Sequence, residues 1–455
     1  MPAEDFRMMR RQKTIPPPRA SLTGAKRRTP VEDRPVDSVS ASVPALAVPA
    51  VRRRSRAALH RELRAFREFG SETAMGCLLT TGGVEVPVYT NEFWTSRQRQ
   101  AHSLHEISYR ACFKPQLPAF FIDRLTRRGE VVYDPFMGRG TTLVEAALRG
   151  RVPWGCDINP VSARLAAPRL NPPRIQDLAA RLAALPLKTD EPLREDLLVF
   201  YHPEVLEALC ALRSYFARPE ADAVDAWLRM VATNRLTGHS NGFFSVYTLP
   251  PNQAVSVQSQ QRINASRKQA PPLRDILDIL EKKSAQLLQD LSRRERAALA
   301  RVLPGARLLT ASCDHTSVLP PDSVSLVVTS PPFLKEVDYR TDNWLRCWFH
   351  GLDSKDIPIW QSTRLAAWRE RMTAVFRELH RVVKPGGWIA FEVGEVVRGR
   401  IRLEEAVVPA ATDAGLVTEL IMINAQEFTK TSQCWGVDNQ IRGTNTNRIV
   451  LLRKP

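Results

Sequence analysis

The sequence predicts an α/β fold built on a mostly parallel sheet with helices on both faces. Three observations carry this. VVYD at 131–134 is a short apolar strand that runs into the loop PFMGRG and then into a helical stretch, TTLVEAALRG. PWGCDIN at 153–159 follows at once as a second strand. Much later, SVSLVVTS, AAWRERMTAVFRELHRVV and WIAFEVGE repeat the order strand, helix, strand. Antiparallel hairpins need no helix between their strands, whereas parallel neighbours need a crossover, so this alternation points to a parallel sheet.

Taken in order, residues 1–56 hold IPPPRAS, KRRTP and VRRRSR, with no hydrophobic period, and read as a disordered basic arm. Such an arm is equally consistent with loose DNA binding and with a solvated tail. SRAALHRELRAFREF opens a helix with Leu59, Leu63 and Phe66 on one side. Residues 57–164 are expected to hold this helical region and the first part of the sheet domain. Residues 165–305 are mainly helical in pattern, as in LRDILDILEKKSAQLLQDL, and form an insertion or small second domain. Residues 306–455 complete the sheet domain. Within them Trp368, Met372, Val375, Phe376 and Leu379 form one face of an amphipathic helix. A KPGG turn follows at Lys384–Gly387. LVTELIMINAQEF and NRIVLLRK are expected as two last strands, an antiparallel edge pair.

Composition narrows the function classes. A net charge of +17 favours a polyanionic partner, nucleic acid before anionic lipid. No uncharged apolar run reaches the length of about 18 residues that a membrane span needs. The opening MPAEDFRMMRRQK has no apolar stretch of a secretory signal. The seven cysteines form no CxxC pair, which argues for reduced thiols in the cytoplasm rather than a disulfide frame or a metal site.

Two short constellations carry chemistry. Asp134-Pro135-Phe136-Met137-Gly138-Arg139-Gly140-Thr141-Thr142 lies where a strand ends and a helix begins. Glycines there let the backbone turn sharply and approach a ligand closely. A lone G-x-G is a common turn feature, and the missing third glycine argues against an ordinary dinucleotide site. Asp157, at the end of the next strand, stands where a carboxylate binds ribose hydroxyls, and a helix cap is its competing explanation. The second constellation is Thr329-Ser330-Pro331-Pro332-Phe333, directly after a strand. Its prolines free carbonyl oxygens from any ladder, its serine adds a hydroxyl, and its ring offers a stacking face. That set suits an exocyclic amine on a base taken out of the duplex. A plain strand-end turn containing two prolines is the alternative.

Together these residues resemble the DNA amino-methyltransferases. DPFMGRGTT matches their cofactor loop and TSPPF their catalytic loop, and RVVKPGGWIAFEVGE is similar to their fifth strand and the turn before it. SLHEISYRACFKPQLPAFFIDRL looks like the segment that closes over the methionine end of the cofactor. The resemblance covers roughly 100–175 and 305–455. It implies a seven-stranded Rossmann-like S-adenosylmethionine-dependent methyltransferase sheet with a mainly helical insertion. It also implies S-adenosylmethionine as cofactor and double-stranded DNA as partner, in the manner of restriction-modification enzymes. Asp134, Phe136, Gly138, Gly140 and Thr141 would then line the cofactor, Asp157 would bind its ribose and Asp314 its adenine amino group. Lys114 and Pro115 would lie near the methionine end. Ser330, Pro331, Pro332 and Phe333 would hold the target base. Serine at the head of the loop resembles the cytosine-N4 branch, since the adenine-N6 branch usually has Asp or Asn there. Phe333 departs mildly from the commoner tyrosine. Adenine N6, in DNA or RNA, stays open as the alternative target. A DNA-binding protein that kept only the fold would need neither loop intact. No cysteine follows a proline, so the nucleophile of cytosine-C5 enzymes is missing, and no PCxxC accompanies an H-x-E as in zinc deaminases.

The middle of the insertion, with Arg235, His239, Asn241, Phe243, Phe244, Tyr247, Gln253, Arg262, Arg267 and Lys268, supplies groups that read base edges and phosphates. The same aromatics are equally consistent with a helical lid whose rings are core. KTSQCWGVDNQIRGTNTNR near the C-terminus is the reserve candidate for target reading.

Overall fold

A computed structural model describes residues 55–79, 83–94, 101–109, 112–219, 221–248, 254–334, 338–396, 401–425 and 446–455. The basic arm up to residue 54, Gln253 and most of the C-terminal reserve stretch lie outside the described residues. Residues 51–455 form one compact unit.

The chain begins with helix α1 (Arg56–Ala65), the hairpin β1 (Ala74–Leu79) and β2 (Glu85–Asn91), and α2 (Gln116–Leu125). The first alternation is β3 (Val131–Asp134), α3 (Thr141–Leu148), β4 (Val152–Asp157) and α4 (Pro160–Leu170). A helical excursion follows: α5 (Ile175–Ala183), α6 (Pro203–Ala217), α7 (Ala223–Arg235), α8 (Val257–Arg267), α9 (Ile276–Leu288) and α10 (Arg293–Val302). The alternation resumes with β5 (Arg307–Thr310), β6 (Val324–Thr329), α11 (Tyr339–Phe349), α12 (Leu365–Val382) and β7 (Val383–Val393). The last elements are the short pair β8 (Glu395–Val396) and β9 (Ile401–Arg402), then α13 (Glu404–Asp413), β10 (Val417–Ala425) and β11 (Thr446–Arg453).

The main sheet has nine strands in the order β1-β2-β10-β11-β7-β6-β3-β4-β5. The run β7-β6-β3-β4-β5 is parallel throughout. β11 lies antiparallel between β7 and β10. The strands from β10 to β5 are the seven expected, and the hairpin β1–β2 adds two more, with β2 parallel to β10. The expected count of seven is therefore corrected to nine, and β10 and β11 are interior rather than an edge pair. The hairpin left little mark in the sequence. β1 is exposed along almost its whole length, so it shows no alternation, and Pro87 interrupts β2. KPGG does not precede the strand but bulges from it. Val324 pairs with Val383 and Leu326 already with Trp388.

Period-two alternation sorts the sheet into two faces. Val132, Leu326, Val328, Ala390, Leu420, Met422, Ile449 and Leu451 pack with α1 and α2. Their neighbours Tyr133, Val327, Ile389, Phe391, Ile421, Val450 and Leu452 pack with α12 and α13. Trp368, Met372, Val375, Phe376 and Leu379 are all buried there. The helical excursion has its own apolar centre, including Leu206, Leu209, Trp227, Val231, Leu280 and Leu287. That centre is continuous with Val144 of α3 and Leu345 of α11.

Asn424 joins the added strands to the rest. It is fully buried, its Oδ1 accepts the Phe93 N–H (2.7 Å) and the Trp94 N–H (3.1 Å), and its Nδ2 donates to the Trp94 carbonyl (3.2 Å). Asn424→Ala strands two buried donors, each costing about 1–3 kcal/mol. The unfolding free energy from urea titration is expected to fall by about 2–4 kcal/mol.

Candidate active site

The carboxyl ends of β3, β4, β5 and β6 meet on one rim, where the chain order reverses between β3 and β6. Open α/β sheets bind ligands at this place because neighbouring loops depart in opposite directions and leave a crevice. A partly open cleft lies here. Pro135, Phe136 and Gly138 line it from the loop after β3, Asp157 and Asn159 from the end of β4, Ser312 and Cys313 from beyond β5, and Ser330 and Pro332 from the end of β6.

The glycine loop is held by its own chemistry. Gly138 has φ +47° and Gly140 φ +78°, a left-handed region costly for other residues. A Cβ on Gly140 would sit 2.7 Å from the Ala166 Cβ. The Gly138 N–H donates to Asp157 Oδ2 (2.9 Å) and the Asn159 N–H to Asp157 Oδ1 (2.8 Å). Thus Asp157 both faces the cleft and ties two loops together. Burial pushes its carboxyl above the usual range, against the pull of these backbone donors.

Asp134 is the buried centre of the rim. Its Oδ1 accepts the Thr329 hydroxyl (2.6 Å) and the Phe136 N–H (3.1 Å), so the end of β3 is bonded to the end of β6. The Thr142 hydroxyl adds a second link, to the Val328 carbonyl (3.0 Å). Burial pushes the Asp134 carboxyl up to about 7, although the Thr329 and Phe136 donors oppose the rise.

On the other side of Ser330 lies Glu392 of β7. It is buried, and burial raises its pKa while the Ser330 hydroxyl and the Asn447 amide stabilise its charged form. Asn447 Nδ2 donates to Glu392 Oε1 at 2.7 Å. The serine therefore stands between a carboxylate and the open cleft. The Pro332 carbonyl accepts from Trp368 Nε1 (3.0 Å), which fixes the turn from below.

The residues singled out from sequence divide into groups. Phe136, Gly138, Asp157, Ser330 and Pro332 are brought together in the cleft. Gly140 and Thr141 build the loop from behind, with the Thr141 hydroxyl accepting from Arg139 Nε (3.0 Å). Pro331 is buried, and Phe333 is half-buried against the cluster containing Trp368 rather than at the cleft wall. Asp314 is one residue beyond the lining Cys313. Pro115 stands at the N-terminus of α2 and Lys114 is exposed beside it, and neither is among the cleft-lining residues.

Several lining residues gave no sequence signal. Tyr339, Asn343, Ile359 and Trp360 close the cleft together with Tyr109, which belongs to the segment that the sequence suggested would close over the cofactor, and Trp360 meets the Phe136 ring edge-on at 6.4 Å. Tyr109 is delivered by a strap. Arg139 Nη1 donates to the carbonyls of His105 (3.2 Å) and Ile107 (2.8 Å). Fully buried Arg169 donates to the carbonyls of Leu104, Leu165 and Arg139. These arginines read as ordinary surface or loop cations in sequence, and only their burial shows their work.

Chemically, the cleft joins a backbone turn that admits close approach, a carboxylate aimed at it, four aromatic side chains and a hydroxyl backed by a second carboxylate. Such a lining accepts a ligand with flat rings and hydroxyl or amino donors.

Residues 71–168 match the family model described as DNA methylase. That segment contains the glycine loop and Asp157, while the Ser330 loop lies outside it. The type II methyltransferase M.MjaII of Methanocaldococcus jannaschii is 37% identical over 95 residues, which are 21% of this chain and 18% of that protein. The type II methyltransferase M.MvaI of Kocuria varians is 30% identical over 138 residues, 30% of this chain and 27% of that protein. The chain thus spans between 18% and 27% of the length of these two relatives. A TehB-like SAM-dependent methyltransferase from Corynebacterium glutamicum aligns over 74% of this chain and 87% of its own, at 9% identity and a TM-score of 0.27. A SAM-dependent methyltransferase from Methanosarcina mazei aligns over 72% and 94%, at 10% identity and a TM-score of 0.28.

The raised Asp134 carboxyl makes stability fall with pH. Between its ordinary value of 3.8 and about 7, the folded protein keeps a proton that the unfolded chain releases. Stability is thereby lost as pH rises through this window and stays lower above it. Asp134→Asn cannot ionise and keeps an acceptor for Thr329. Denaturant titrations of the ligand-free protein at pH 5 and pH 8 are expected to differ by less in this variant than in the wild type, by up to about 3 kcal/mol. An equal difference in both proteins would show that Asp134 is ionised throughout.

Proposed function

We propose that the protein is an S-adenosylmethionine-dependent methyltransferase acting on an exocyclic amino group of a base in double-stranded DNA, with N4 of cytosine as the target. The observation that carries this reading is the convergence of Asp157, Gly138 and Ser330 on one cleft at the switch point of the sheet. The match of 71–168 to the DNA methylases and the net charge of +17 support it independently.

The lining fits the cofactor. Gly138 leaves room that a side chain would narrow, since a Cβ there would already meet the Tyr109 ring at 3.5 Å. Asp157 presents an acceptor to ribose hydroxyls, and Phe136, Ile158 and Trp360 supply apolar and aromatic surface. S-adenosylmethionine supplies, when bound, an electrophilic methyl group on a sulfonium. Asp314, next to the lining Cys313, is the residue to which the resemblance assigns the contact with the adenine amino group.

Ser330 and the carbonyls of the loop act on the other reactant. They accept hydrogen bonds from the amino group and so turn its nitrogen lone pair toward the methyl. The Ser330 hydroxyl donates toward Glu392 and leaves its oxygen lone pairs for the amine. The amine gains the methyl and loses one proton, which the Ser330 hydroxyl can pass to Glu392, a carboxyl bonded to it whose pKa burial raises. No covalent bond between protein and base is required. Serine rather than Asp or Asn at this position favours cytosine N4 over adenine N6.

Ser330→Ala is expected to retain cofactor affinity by calorimetry and to lower turnover about a hundred-fold or more, because the lost group acts mainly in the transition state. Turnover like that of the wild type would remove Ser330 from the mechanism. Nucleoside digestion of DNA methylated by the wild type is expected to yield N4-methylcytosine. N6-methyladenine instead would move the target to adenine while leaving the cleft chemistry in place.

A further inference from the structure

The stretch from Ala226 to Arg274 contains no aspartate or glutamate, in a chain that carries 48 of them. Its basic residues are used in two ways. Arg229 donates to the Phe216 carbonyl (3.0 Å) and Arg235 stacks on Phe243 at 4.1 Å, so both serve the interior. Phe243 and Phe244 are buried, which makes these rings core. Around α8, Arg262 and Lys268 are exposed, and Arg267 is exposed while its guanidinium stacks on the Tyr247 ring at 3.8 Å.

α8 is polar on nearly every side, and its placement is achieved by amides rather than by apolar burial. On its inner face Gln260 Nε2 donates to the Tyr247 carbonyl (3.0 Å) and Asn264 Nδ2 to the Val199 carbonyl (2.7 Å). Val257 and Ile263 are only half-buried on the same side. The outer face presents Gln258, Gln261, Arg262 and Ala265, spaced three and four apart and all exposed. A helix polar all round is normally held by ion pairs along its surface or bridges two bodies. α8 has no acid with which to form such pairs. It also ends on Lys268 at φ +49°, a left-handed position usually given to glycine. The chain keeps a cation there against local backbone preference.

α8 is coupled to the cleft through α11. Tyr339 and Asn343 of α11 line the cleft, and the adjacent Trp344 donates from Nε1 to the Val255 carbonyl at 3.2 Å, just before α8 starts.

We propose that α8 is the base-reading helix, entering the major groove of duplex DNA with Gln258, Gln261 and Arg262 against base edges and Arg267 and Lys268 near phosphates. This rests on the methyltransferase function proposed above. An 11-residue helix is about 16 Å long and about as wide as the groove that would receive it. Glutamine pairs with adenine and arginine with guanine through two hydrogen bonds each, and Ala265 allows close approach. The absence of acids from residues 226–274 fits a helix that approaches phosphates, with the exposed Glu195 and Asp196 lying on the neighbouring turn rather than on α8 itself.

The test uses the full chain expressed in a host lacking other DNA methyltransferases, with methylation mapped across the genome. Gln258→Ala with Arg262→Ala is expected to accept bases that the wild type rejects at one or two motif positions, with discrimination there reduced about ten-fold or more. Arg267→Ala with Lys268→Asn is expected to keep the motif and to lower methylation at all sites, with a shallower salt dependence of DNA binding. Cofactor affinity, measured by calorimetry, should be unchanged in both and reports the fold. If the first pair loses it, Gln261→Ala alone must show the altered motif. An unchanged motif with unchanged preference ratios overturns the assignment of α8 while leaving the enzyme function intact. A wild-type chain that methylates no DNA overturns both.

Discussion

The hydrogen bond between Asp134 and Thr329 is the contact on which the rim of the sheet depends. It joins the end of β3, where the glycine loop begins, to the end of β6, where the serine loop begins. Those strands are neighbours in space but 195 positions apart in the chain. Strands diverge at a switch point, so the loops beyond them have no ladder to keep their spacing. A buried side-chain bond across the seam supplies it, and Thr142 repeats the link one layer lower. Burying an acid here costs stability at neutral pH, as the raised pKa of Asp134 shows. The cost is consistent with a need for fixed distance between the two halves of the cleft.

Around that seam the protein uses backbone-directed polar contacts more than ion pairs. Asp157 accepts two backbone N–H groups, Arg139 and Arg169 donate to backbone carbonyls, and Glu392 meets a hydroxyl and an amide. Burial draws the Arg169 pKa down to about 9, with the nearby Arg139 charge adding to the effect. Backbone groups are fixed by the fold, so a side chain bonded to them inherits that fixity. The strap carrying Tyr109 is therefore tied to the glycine loop rather than merely laid over it.

What the sequence made legible follows from which signals are local. The glycine loop, Asp157 and Ser330-Pro331-Pro332 are short runs with turn chemistry of their own, and the structure sets Phe136, Gly138, Asp157, Ser330 and Pro332 on one cleft. The parallel core was readable because its strands are apolar and alternate with amphipathic helices. Tyr109 was legible only as part of the segment expected to close over the cofactor, and Trp360 and Glu392 were not readable, because each depends on contacts far along the chain. Phe333 shows the converse. Its place after two prolines suggested a stacking ring, yet the ring lies half-buried against the cluster beneath. The hairpin β1–β2 escaped notice since a strand exposed on both faces has no alternation to detect.

The parallel pairing of β2 with β10 has a consequence for how the protein is made. Asn424 accepts the N–H of Phe93 across 331 positions of sequence. At ordinary translation rates the ribosome needs about 15–70 s to cover that distance. Throughout this interval the nascent hairpin lacks β10, the strand through which it joins the sheet. The far edge of the sheet is thus completed by a strand synthesised long after the hairpin. A ribosome stalled in the helical excursion would hold a chain with β3 and β4 but without the β6 to which Asp134 bonds. The two halves of the cleft cannot take their final spacing before β6 has left the exit tunnel.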